Sequence, residues 1–293
     1  MFTGSITALV TPFRDGNIDE EGLKRLIEFQ IAGGTSGVVP CGTTGESATL
    51  SYEEHNRVIE LTIEASAKRV PVIAGTGSNS TAETIALTKH AKKAGADAAL
   101  LITPYYNKPT QSGLYEHYRK VAEAVDIPII LYNVPGRTSV NMLPETVARL
   151  SEIKNIIGIK EATGDLKQVS EVIELSRDGF IVLSGDDFTT LPLLSIGGHG
   201  VISVTSNIMP GEMSGMVRSY FAGDMKEARR LHFRLQALHR AMFMETNPIP
   251  VKTALAVMGM VGEEFRLPLT RMSEANRAKL ITVLKAYGLG VRS

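Results

Sequence analysis

Cysteine is almost absent, with Cys41 alone among 293 residues. A single thiol excludes an intrachain disulfide framework and fits a reducing compartment. Neither sign of charge is in excess. The 31 Lys and Arg residues balance 31 Asp and Glu, so no bulk field draws the chain to nucleic acid or an anionic membrane. No stretch approaches the ~18 consecutive apolar residues of a membrane-spanning helix. The first residues, "MFTGSITALVTPFRDG", lack a basic segment followed by a long apolar core and a small-residue cleavage site. They read as a first strand and not as a secretion leader. These absences predict a cytoplasmic protein without nucleic-acid or membrane partners. Metal chemistry lacks its ligands too. His55, His90, His117, His199, His232 and His239 fall mostly in expected helices and form no HxH or HExxH pair.

Apolar material is ample at 43% of the chain. It comes in eight short runs: "SITALVTP" (5–12), "GVVPCG" (37–42), "PVIAGTG" (71–77), "AALLITP" (98–104), "PIILYNVP" (128–135), "IIGIKEA" (156–162), "FIVLSGD" (180–186) and "GVISVT" (200–205). Consecutive apolar positions are the mark of strands covered on both faces of a parallel sheet. The runs recur at roughly 20 to 34 residues, the length that a strand, a helix and two loops require. Amphipathic segments such as "EEGLKRLIEFQIAGG" and "AETIALTKHAKKAGAD" fill the gaps. Eight such units predict an α/β fold, a (β/α)8 TIM barrel. A doubly wound open sheet competes, but "TPFRDGN" offers no glycine fingerprint after the first strand. Beyond residue 223 the strand pattern stops. The expected division is a catalytic barrel over 1–223 and a C-terminal three-helix extension over 224–293. The last helix begins at Ser273, with Asn276 in place of the ideal capping Glu.

Barrel chemistry gathers where strands end. That face carries Thr43 and Thr44 in "GTTGE", Tyr105 and Tyr106 in "PYYNKP", Tyr132 and Arg137 in "YNVPGRT", Lys160 in "GIKEATGDL" and "SGDD" over 184–187. The Asp pair of "SGDD" reads as an N-terminal cap for a helix near Phe188 in preference to a Mg2+ site. Lys160 is the outlier, a lysine at the end of an isoleucine-rich strand. Lysines in general are surface groups, but one held in an apolar interior loses charge readily. A neutral amine attacks a ketone to give a Schiff base, an electron sink. Tyr132, Thr43 and Tyr106 are of a type that passes protons along a hydroxyl chain, although tyrosines at barrel rims more often pack and threonines more often cap. Arg137 suits capture of a carboxylate, or equally a salt bridge at the rim.

Taken together and in order, "GTTGE", "PYYNKP", "YNVPGRT", "GIKEATGDL", "LSGDD" and "ETNPIPVK" resemble the dihydrodipicolinate synthase family of pyruvate-dependent class I aldolases over essentially the whole chain. The resemblance implies condensation of pyruvate with L-aspartate 4-semialdehyde to 4-hydroxy-tetrahydrodipicolinate, a step of lysine and diaminopimelate biosynthesis. It needs no cofactor beyond the Schiff base on Lys160. Tyr132 becomes the proton donor and acceptor, with Thr43 and Tyr106 completing the relay. In the family the second tyrosine of "YY" comes from a neighbouring subunit, which makes a homodimer the minimal active unit, within a homotetramer. Thr44 and the backbone at Ile202 hold the pyruvate carboxylate, Gly185 is a further substrate-binding position, and Arg137 takes the carboxylate of the semialdehyde.

Sialic-acid lyases and 2-keto-3-deoxy sugar acid aldolases are the alternatives. The lyases share the lysine but carry serine at the position of Thr43 and lack the arginine of "PGR", so Thr43 and Arg137 favour the synthase. Many members are inhibited by lysine between subunits. The matching positions are Ser47, Ala48, His55, Asn79, Glu83 and Tyr105, with Tyr52 where many inhibited enzymes carry histidine.

Overall fold

Each apolar run becomes a strand buried on both faces, and the eight strands form a ring. The computed structural model describes residues 2–290. Its barrel strands are β1 Gly4–Ala8, β2 Gly37–Val39, β3 Ile73–Gly75, β4 Ala98–Ile102, β5 Ile129–Asn133, β6 Ile156–Glu161, β7 Ile181–Ser184 and β8 Gly200–Ser203. They run parallel in the order β2-β1-β8-β7-β6-β5-β4-β3. The ring closes between β2 and β3 through backbone bonds from Val38 N–H to Pro71 O and from Gly75 N–H to Pro40 O, both 3.0 Å. The fold is therefore the (β/α)8 barrel that the spacing predicts. The apolar runs overshoot their strands at Pro40, Pro104 and Pro135, which have no N–H to give a ladder. Ile6, Val39, Ile73, Leu100, Ile130, Leu183 and Ile202 fill the interior.

Helices follow each strand: α1 Glu20–Ala32, α2 Tyr52–Ser66, α3 Thr81–Ala94, α4 Gln111–Ala124, α5 Pro144–Ser151, α6 Leu166–Leu175, α7 Thr190–Ser195 and α8 Pro210–Phe221. None among the described residues is long and apolar enough to cross a membrane. Three more helices complete the chain: α9 Met225–Met242, α10 Ile249–Val257 and α11 Glu274–Ala286. Residues 291–293 of the expected extension lie outside the described residues. Leu235, Leu238, Val251, Leu255, Leu280 and Leu284 of these helices share one core with Val201, Val204 and Ile208 at the end of β8. The C-terminal helices are thereby packed against the strand ends where the chemistry is expected.

Two helix starts differ from the sequence reading. The Asp pair caps no helix: α7 begins at Thr190, and its N-terminus has no side-chain cap. Asp186 Oδ1 instead accepts from Phe188 N–H at 3.0 Å. Asp187 Oδ2 accepts from the Val204 and Thr205 N–H groups at 3.1 and 2.9 Å, tying β7 to β8. At α11, Ser273 Oγ and Asn276 Nδ2 both donate to Glu245 Oε1, at 2.7 and 2.8 Å. A carboxylate from the loop between α9 and α10 thus collects the donors that a capping box would pair locally.

Candidate active site

Lys160 occupies the last level of β6, in register with Tyr132 on β5 and Leu183 on β7. It is buried, and its Nζ stands 4.2 Å from the centroid of the Tyr132 ring. Strand alternation sends the next residue, Glu161, to the opposite face. There its carboxyl accepts from Asn133 Nδ2 at 3.3 Å and from the Thr163 N–H at 2.9 Å. Burial holds the Glu161 carboxyl above the ordinary carboxylate range, against the pull of those donors. Glu161 is therefore part of the frame around β5 and β6, and Lys160 faces the barrel axis without it.

A cavity of about 670 Å³ opens over the strand ends. Thr43, Tyr132 and Arg137 stand on its wall together with Leu100 and Ile102. Lys160 adjoins it through Tyr132. Gly185 lies flat against the lysine: a Cβ there would come within 3.0 Å of Lys160 Cε and 2.7 Å of the Ala162 Cβ. Thr44 is buried, and its Oγ1 accepts from Asn247 Nδ2 at 3.1 Å. Ile202 is fully buried in the barrel interior. Arg137 follows β5 on a single helical turn, Pro135–Thr138, and directs Nη2 to the main-chain oxygen of Asn247 at 2.9 Å. The structure thus gathers the residues of five strand ends at one place. Tyr106 is the exception: it is 90% exposed, has φ +72°, and does not line the cavity of its own chain.

Ser47, Ala48, His55, Glu83 and Tyr105 line the same cavity, further along its wall. Asn79 does not, and its carbonyl accepts from Asn107 Nδ2 at 2.9 Å. Burial holds the His55 imidazole down at about 4, so the ring is neutral at pH 7. Its Nε2 donates to Gly75 O at 2.9 Å, since a carbonyl can only accept. Glu83 takes the Ser78 hydroxyl at 2.7 Å and, through a bond to the Tyr52 hydroxyl, pushes that phenol up.

Sequence reasoning gave no role to Asn247, Glu46 or Lys252, although "GTTGE" and "ETNPIPVK" contain all three. Lys252 and Glu46 form an ion pair in which neither side chain has accessible surface. Lys252 Nζ also lies 4.1 Å from the Phe13 ring centroid. The signal was available: a lone lysine inside the apolar helix "IPVKTALAV" asks the same question as Lys160. It is answered by a buried carboxylate, which marks a structural lysine in place of a reactive one.

Residues 1–287 match the model of the dihydrodipicolinate synthetase family. The chain is 64% identical over 289 residues to the 4-hydroxy-tetrahydrodipicolinate synthase of Syntrophus aciditrophicus, covering 99% of each. It is similar in structure to dihydrodipicolinate synthase from Aquifex aeolicus, with a TM-score of 0.98 and 52% identity over 100% of both chains. The chloride-inhibited dihydrodipicolinate synthase of Acinetobacter baumannii, solved in complex with pyruvate, gives a TM-score of 0.97 and 50% identity over 99% of this chain and 100% of that one. With the family model spanning nearly its whole length, the chain belongs to the dihydrodipicolinate synthetase family.

Proposed function

We propose that the protein is a lyase of the Schiff-base class that condenses pyruvate with L-aspartate 4-semialdehyde to 4-hydroxy-tetrahydrodipicolinate, in lysine and diaminopimelate biosynthesis. One observation carries this reading: a buried lysine at a barrel strand end, packed on a tyrosine that lines a cavity also holding Arg137. Lys160 Nζ attacks C2 of pyruvate, and the carbonyl oxygen leaves as water, giving an iminium. Loss of a methyl proton gives the enamine. Its carbon attacks the aldehyde carbon of the second substrate, forming the C–C bond as the aldehyde oxygen takes a proton. The amine of that substrate then adds at C2 and displaces Lys160. Nothing is oxidised or reduced.

Each proton transfer needs a hydroxyl within reach, and Tyr132 with Thr43 supplies it from the cavity wall. Tyr106 completes the relay from a neighbouring subunit. Its near-total exposure and positive φ support this, because an exposed tyrosine in the left-handed region is costly unless a partner uses it. The active unit is then a homodimer, which pairs into a homotetramer. Thr44 and the backbone at Ile202 receive the pyruvate carboxylate, Gly185 is a further substrate-binding position beside Lys160, and Arg137 receives the carboxylate of the semialdehyde. No cofactor or metal enters these steps. The reaction runs in the cytoplasm, where both substrates are metabolites. L-lysine binds the cavity wall at Ser47, Ala48, His55, Glu83 and Tyr105, with Asn79 as the one expected contact that lies off that wall, and an activity curve flat to millimolar L-lysine would refute that part.

Borohydride added with pyruvate tests the reading. A reduced pyruvyl adduct is expected on the peptide that contains Lys160 and is expected to vanish in Lys160→Ala. A coupled assay with aspartate semialdehyde is expected to show turnover well above that with sugar aldehydes. An adduct on another residue, or a preference for a sugar aldehyde, rejects it.

A further inference from the structure

Two segments far apart in sequence are joined at two rungs beside the cavity. The first rung is Thr44 to Asn247, and the second is Glu46 to Lys252. Glu46 has φ +54°, a conformation that a residue with a side chain holds only under outside constraint. Its carboxylate supplies that constraint, accepting from Lys252 Nζ and from the Arg266 N–H at 3.2 Å. A fully buried ion pair adds little stability over an apolar pair of similar volume, because both charges lose their water. What it fixes here is geometry: the "GTTGE" loop and the segment leading into α10 cannot slide past each other.

Asn247 occupies the point that this arrangement fixes. It is buried on the cavity wall, donates Nδ2 to Thr44 Oγ1, and accepts Arg137 Nη2 on its main-chain oxygen at 2.9 Å. Its own Oδ1 is buried without a partner. A residue present only to fill space has no reason to carry that unmet polar atom. A hydroxyl has one proton to give. Since Thr44 Oγ1 accepts from the amide, the Thr44 proton is turned away from Asn247 and is free for another acceptor.

We infer that Asn247 is a positioning residue for the condensation: its amide aims the Thr44 hydroxyl at the pyruvate carboxylate, while its carbonyl seats Arg137 for the second carboxylate. One residue then sets the spacing between the two acid-binding groups. The inference rests on the function proposed above and adds a residue to it. No step of bond making passes through Asn247.

The test is the kinetics of Asn247→Ala, Thr44→Val and the double variant, with thermal unfolding as a check on folding. Asn247→Ala is expected to raise KM for pyruvate about tenfold, the effect of one lost orienting hydrogen bond. KM for the semialdehyde should stay within about twofold, because the main-chain oxygen that holds Arg137 remains. The double variant should be no worse than Thr44→Val alone, since the amide acts through that hydroxyl. Asn247→Asp serves if the alanine variant does not fold: it keeps the shape, cannot donate, and should raise KM for pyruvate at least as much. An unchanged KM for pyruvate, or effects that multiply in the double variant, overturns the positioning role while leaving the Lys160 adduct intact. Absence of that adduct in the unsubstituted protein overturns the proposed function and this inference with it.

Discussion

Lys252 of α10 and Glu46 of the loop after β2 meet with no accessible surface on either side chain. Burial pulls the Lys252 amine below its ordinary range, and the Glu46 charge opposes that pull. Removing one partner strands the other charge in a medium that cannot solvate it. Lys252→Met is therefore expected to lower stability by about 3–5 kcal/mol, whereas Lys252→Met with Glu46→Gln should recover most of the loss. Urea unfolding of the three proteins measures both numbers. A single variant as stable as the parent would show that the pair is not desolvated.

Gly185 gives a prediction in which space and chemistry coincide. An added Cβ would press on Lys160 Cε at 3.0 Å and Cγ at 3.1 Å. The Ala162 Cβ, at 2.7 Å, is fixed to its backbone, so the end of β6 has to shift along with the flexible lysine. Gly185→Ala should cost about 1–3 kcal/mol of stability by overpacking. It should also slow borohydride-trapped adduct formation about tenfold or more, because a displaced nucleophile loses its approach geometry. A variant that traps pyruvate at the parental rate would place the reacting nitrogen elsewhere.

The barrel was legible because its strands are apolar on consecutive positions and regularly spaced, signals that local sequence carries in full. Lys160 was legible for the related reason that an ammonium is out of place in such a run. Asn247 was not. Its amide looks like any polar residue before a proline, and its meaning arises only when Thr44, 203 positions earlier, comes within 3.1 Å. The Asp pair at 186–187 misled for the same reason. A capping aspartate and one that ties β7 to the end of β8 look identical until Thr205 is brought beside them. The positions expected to contact lysine were named one by one, yet that five of them share a cavity with Tyr132 and Arg137 follows from chain crossings alone.

Tyr106 separates a shared site from a self-contained one. Two inactive proteins, Tyr106→Phe and Lys160→Arg, are mixed under conditions that allow subunits to exchange. If the tyrosine serves a neighbour's pocket, each mixed dimer holds one complete site, and random mixing restores about a quarter of the parental activity. If it serves its own chain, every site lacks either the lysine or the hydroxyl, and no activity returns. A coupled assay before and after exchange distinguishes the two outcomes.

Two buried histidines predict how the protein meets acid. His55 and His117 are each 6% exposed, and burial holds each imidazole down at about 4. At His55 the His90 ring adds to the effect, and the bond to Gly75 O opposes it. His117 Nδ1 meets Thr81 Oγ1 at 2.9 Å, and its Nε2 has no partner. In the unfolded chain an imidazole titrates near about 6.5. Between that value and about 4 the unfolded state binds more protons, so stability rises with pH across this window. The contribution is complete above about pH 6.5 and is lost as pH falls toward 4, at about 2 kcal/mol per histidine by pH 5. Urea unfolding at about pH 7.5 and about pH 5 should therefore show a drop that shrinks in His117→Gln, whose amide carries no titrating proton in this range. An unaltered drop would mean that His117 is protonated in the folded protein or reached by water.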